Sequence, residues 1–110
     1  MAYDEGVTER IREQLADQPS VVEKKMFGGI AFMLCGNMCC GVVGEELMAR
    51  VGPIAYADAL SLPHAREMDF TGKPLTGFVY VAPEGFESDD DLHAWVQRGV
   101  TFALSLPAKD

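Results

Sequence analysis

With 110 residues, 48% of them hydrophobic and 24% charged, the chain can close one hydrophobic core but not two, which excludes a multi-domain enzyme. A formal net charge of −8 opposes the basic footprint of a free-standing nucleic-acid binder. No apolar run approaches the ~18 residues of a membrane span, and the acidic start Met1–Glu5 is unlike a signal peptide, so a soluble cytoplasmic domain with reduced thiols is expected.

Val7, Ile11 and Leu15 recur at i, i+4 within Asp4–Asp17, which predicts an amphipathic helix that Pro19 closes. From Val21 the period shortens. Val21–Phe27, Gly29–Cys35, Met38–Val43 and Leu47–Val51 read as strands joined by tight turns. Gly36-Asn37 predicts a two-residue type II′ hairpin, because glycine at the first loop position reaches positive φ freely; Gly44-Glu45 predicts the next one. Pro53 suits the first turn of a short helix over Ile54–Leu60, ended by Pro63. Arg66–Phe70 and Phe78–Ala82 form a further strand pair around the loop 71–77. Ser88 and Asp91 make a capping-box-like start, after which Leu92, Trp95, Val96, Gly99, Phe102, Ala103 and Leu106 hold a helical period up to Pro107.

A loop at Gly36-Asn37 would place Cys35 opposite Met38 and Met33 opposite Cys40. One sheet face would then carry Ala31, Met33, Cys35, Met38, Cys40 and Val42, continued by Leu47, Ala49 and Val51. Ile30, Phe32, Leu34, Cys39 and Val43 would occupy the other, continued by Met48 and Arg50. Both faces are mostly apolar, so something besides water must cover each. Helices supply part, and a homodimer or partner contact at Ile30, Phe32 and Leu34 could supply the rest.

Chemistry-bearing patterns are sparse. Cys39 and Cys40 are adjacent on a strand and so are expected to point apart, leaving no metal centre and no cofactor site; a Cys35–Cys40 thiol switch is the residual redox reading. Met26-Phe27-Gly28-Gly29 has a glycine pair but lacks the frame of a phosphate loop, and a bulge or strand junction explains it better. His64 and His93 have no ligand spacing, and no nucleophile has a base beside it. Lys24, Lys25, Arg50, Arg66 and Lys73 could gather into one basic patch, although the end segments 1–23 and 74–110 each carry six acids against two bases.

Glu23-Lys24-Lys25-Met26-Phe27-Gly28-Gly29-Ile30-Ala31-Phe32, Gly36–Val42, Leu47–Gly52, Met68–Pro74 and Gly77–Val79 together resemble the TfoX/Sxy amino-terminal domain family across about Tyr3–Pro107. The resemblance implies an α+β two-layer sandwich whose antiparallel sheet follows the order α-β-β-β-(β)-α-β-β-α. It also implies transcriptional regulation of competence, in which full-length members act with the cyclic-AMP receptor protein and continue into a second domain; residues 1–110 read as a stand-alone first domain. No catalytic or metal residue carries over. The expectation is a non-enzymatic regulatory adaptor acting by protein association, without a cofactor, and with Lys25, Met26, Phe27, Gly28, Gly29, Arg50, Asp69 and Lys73 as partner contacts. Rival readings are an accessory DNA-contacting factor and a small thiol-redox or ligand-binding module.

Overall fold

The computed structural model describes residues 3–18, 21–26, 28–69 and 74–107. Among these residues three helices and six strands follow one another as α1 (Glu5–Gln14), β1 (Val21–Met26), β2 (Gly29–Leu34), β3 (Asn37–Val43), β4 (Glu46–Arg50), α2 (Tyr56–Leu60), β5 (Ala65–Asp69), β6 (Pro74–Val81) and α3 (Asp89–Ser105), with a 3₁₀ turn at Pro83–Gly85. All strands pair antiparallel in one open sheet of order β1-β2-β3-β4-β6-β5. The expected two-layer α+β fold is the one observed.

Local chemistry sets the helix starts. The Asp4 carboxylate accepts from the Val7 amide at 3.0 Å, and the Ser88 hydroxyl accepts from the Asp91 amide at 3.1 Å, each filling an orphan donor of a first turn. Ile11 and Leu15 of the α1 segment, and Leu92, Trp95, Val96, Val100 and Ala103 of α3, enter the core with Ala59 of α2. The α3 helix crosses β2, β3 and β4, whereas α2 rests on β5 and β6, so the helices form one layer. Opposite them stand Ile30, Phe32, Leu34, Val42, Leu47, Val79 and Val81, each contributing about 1.5–3 kcal/mol through burial of a large apolar side chain. Ile30, Phe32 and Leu34, expected at a homodimer or partner contact, are therefore covered by this chain's own helices.

Two sequence expectations need correction at the β2–β3 hairpin. Leu34 pairs with Asn37, so the loop is Cys35-Gly36 rather than Gly36-Asn37. Both loop residues have positive φ, 52° and 81°, the signature of a type I′ turn rather than II′. The register then shifts between Phe32 and Met33: Met33 faces Met38 but Phe32 faces Cys40, leaving Cys39 as an extra, bulged residue. Hence Cys40, Val42, Leu47 and Ala49 share the helix side with Phe32, while Ala31, Met33, Met38, Val43 and Met48 share the other.

Elsewhere the differences are smaller. Gly44-Glu45 makes the expected hairpin, with Val43 opposite Glu46. Ile54 precedes α2 and is fully exposed. The 74–77 stretch, expected in a loop, opens β6; proline is tolerated there as the first strand residue, needing no ladder donor. Pro19 and Phe70 lie outside the described residues.

Candidate functional site

At the β1–β2 hairpin, Met26 pairs with Gly29, and Gly28 in the turn between them holds φ 75°. A Cβ on Gly29 would stand 2.0 Å from the Val42 carbonyl oxygen, so close backbone approach demands glycine there. The glycine pair thus serves a turn and a strand contact. Lys25 pairs with Ile30 on the edge strand, exposed to solvent. Phe27 lies outside the described residues.

Of the other sequence candidates, Arg50 ends β4 opposite Phe78, and Asp69 ends β5 opposite Pro74, both at the same end of the sheet; Lys73 lies outside the described residues. Lys25 belongs to the row Ile30, Val42, Leu47 at the other end. It is three strands from Arg50, ~14 Å across and ~10 Å along the strands by standard spacings. The six described candidates therefore fall into two groups, Lys25, Met26, Gly28 and Gly29 at one end and Arg50 and Asp69 at the other. The basic residues are dispersed likewise: Lys24 and Lys25 are on β1 and Arg66 is on β5, the two outermost strands, five spacings or ~24 Å apart. The single basic patch expected from sequence does not form among the described residues.

A second apolar cluster fills the sheet face away from the helices. Ala31, Met38, Met48, Met68 and Tyr80 are buried there, with Met33, Val43 and Phe78 packed beside them, and every one of these residues comes from a strand. Two arginines lie over the aromatic members. The Arg66 guanidinium sits 4.6 Å from the Tyr80 ring centre and is also ion-paired to Glu46. Arg50 sits 5.4 Å from the Phe78 ring and 5.1 Å from Phe102 of α3, and so bridges the end of β4 to the helix layer. Such contacts contribute about 0.5–2 kcal/mol each while the aliphatic stems cover apolar surface. Burial raises the Tyr80 hydroxyl above its ordinary range, against the opposing effect of Arg66. In the sequence Arg66 stands out only as a basic residue and Tyr80 not at all; the signal for the pair is the i, i+2 spacing of Phe78 and Tyr80 on one strand.

The bulge changes the cysteine picture as well. Cys39 and Cys40, expected on opposite faces, both enter the helix-side core. Hydrogen bonding with Cys39 and complete burial push the Cys40 thiol well above the usual range, the opposite of what an activated nucleophile needs. The Cys39 thiol points at the Val96 carbonyl, 4.0 Å away. Cys35 stands apart in its turn. Among the described residues no group of three or more His, Cys, Asp or Glu could hold a metal ion. No helix among the described residues is long and apolar enough to cross a membrane.

No curated protein matches the sequence. The model of the TfoX N-terminal domain family does, over residues 13–103, from the last turn of α1 into the final turn of α3, and takes in the two glycine hairpins, the bulged strand and the aromatic pair of β6. With the match spanning the whole sheet and most of the chain, the protein belongs to the TfoX N-terminal domain family.

Proposed function

We propose that this domain is a non-enzymatic regulatory adaptor in the transcriptional control of competence, acting by association with another protein on the sheet face that no helix covers. Membership of a regulatory type of family supports the regulatory part of this reading. The observation that carries the docking part is the strand-only apolar cluster with Arg50 and Arg66 laid over its aromatic residues. Met38, Met48 and Met68 there are closed to solvent, so a partner's carboxylates would meet the guanidinium groups of Arg50 and Arg66 laid over the aromatic rings, Arg66 exchanging its pairing with Glu46. The dispersal of basic residues across the sheet counts against direct duplex contact as the primary role.

Affinity capture from the native cell, followed by reconstitution with the purified partner, tests the reading. Arg50→Glu is expected to abolish capture and Lys25→Glu to leave it intact. The reverse pattern would move the contact to the β1–β2 hairpin. Capture indifferent to both changes, or no reconstitutable partner, would refute sheet-face association.

A further inference from the structure

We infer that the groove between α3 and the turn following β4 binds a carboxylate attached to an apolar group. The groove has a volume of about 510 Å³, within the range of small-ligand sites. Val51, Ala55 and Phe102 supply its apolar part.

The polar part has one sign. Arg98 is the single charged residue among the described lining residues, and it also borders the adjoining cavity that Glu84 and Asp91 help to line. Gln97 and Thr101, one helical turn apart, add neutral donors beside it, whereas the Ser105 hydroxyl donates to the Phe102 carbonyl at 2.6 Å. The guanidinium rests 5.6 Å from the Trp95 ring centre and meets Asp58 only at 3.8 Å; the Asp58 side chain is 78% exposed, so a water-screened pair holds Arg98 loosely. A ligand carboxylate displaces Asp58 and gains a charge-assisted bond in a less hydrated place, while its tail covers Phe102. The carboxylate could belong to a free organic acid or to the end of a polypeptide chain; both present the same chemistry.

Trp95 is the chain's one tryptophan and lies under Arg98, so its fluorescence reports occupancy. Titration of the full chain with sodium octanoate, and separately with a short peptide ending in a free leucine carboxylate, is expected to give saturation with a Kd on the order of 1 mM for at least one of them. The better ligand identifies the source. Octanol and the amide-capped peptide are expected to bind at least about tenfold more weakly, and Arg98→Gln to weaken the acid by about tenfold. Thr101→Glu places a like charge on an exposed helix position; it is expected to abolish binding with an unchanged melting temperature, which separates lost recognition from lost folding. Amide chemical shifts of residues 94–105 locate the site independently of the tryptophan. Equal affinity for octanol, no response to either variant, or no saturation by either carboxylate would overturn the inference. Since the groove lies on the helix side, its failure leaves sheet-face association standing, and the converse holds too.

Discussion

Gly99 of α3 lies directly on the carbonyl of Cys39: a Cβ built on the glycine would stand 2.3 Å from that oxygen and 3.1 Å from the Cys39 sulfur. The bulge pushes Cys39 out of the ladder toward the helix, and the missing side chain at Gly99 lets the helix settle onto it. Gly99→Ala is expected to destabilise the domain by about 1–3 kcal/mol, since backbone must move to admit the methyl group, although alanine is the better helix former. Urea unfolding at fixed m-value measures this. An increase in stability would mean that helix propensity outweighs the contact.

Cys35 holds φ 52° in a turn where asparagine is the favoured first residue before glycine. Cys35→Asn is expected to raise stability by about 1 kcal/mol, because asparagine tolerates the left-handed conformation and cysteine does not do so readily. Cys35→Val should lower it by a similar amount. Thermal unfolding of the two variants settles the order.

The three thiols should separate by accessibility. Cys39 and Cys40 are at most 1% exposed, whereas Cys35 is half-buried in its turn. Under native conditions an alkylating reagent is expected to modify one cysteine rapidly and the other two only as the domain opens; peptide mapping should place the fast label at Cys35. Rapid labelling of Cys40 would contradict both its burial and its raised thiol pKa.

Arg12 of α1 clamps Glu23 of β1 through two hydrogen bonds, at 2.7 and 2.8 Å, and reaches Glu9 at 2.9 Å. The hydrogen bonds from Arg12 hold the Glu23 carboxyl below its ordinary range, against a smaller opposing effect of burial. A depressed folded-state pKa stabilises above the unfolded value and is lost as pH falls through the folded one, so the clamp fails on the acid side. Stability measured from neutral pH down to about pH 3 should therefore decline less steeply in Arg12→Gln than in the parent. The neutral-pH difference is expected to stay within about 1 kcal/mol, because both side chains are a third or more exposed.

Periodicity was sufficient for the helices. Ile11 and Leu15 in one, and Leu92, Trp95, Val96 and Ala103 in another, are buried as their spacing requires. Strand locations were also legible, but their phase was not. Choosing Gly36 as the first loop residue obeys ordinary turn chemistry, whereas the chain places Cys35 there and buries Asn37, whose amide donates to the Pro107 carbonyl at 2.9 Å. With a side-chain period of two, that one-residue slip, followed by a bulge, reassigns the faces of β3. The candidate site was scattered for a different reason. Their common origin in the strand region suggested that Arg50 and Lys25 could share a surface, but distance across the sheet depends on which strands adjoin, and that pairing is decided by contacts remote in the chain.

The insertion of β6 between β4 and β5 has a consequence for synthesis on the ribosome. The hairpins through β4 can form as soon as their residues emerge, yet the outer hydrogen-bonding edge of β4 waits for Phe78–Val81, some thirty residues later. During that interval a nascent chain displays a naked ladder margin rich in Leu47, Met48 and Ala49, which a neighbouring polysome product could capture. Slow translation between Gly52 and Gly77 would lengthen the exposure, making this interval the vulnerable moment in the protein's biogenesis.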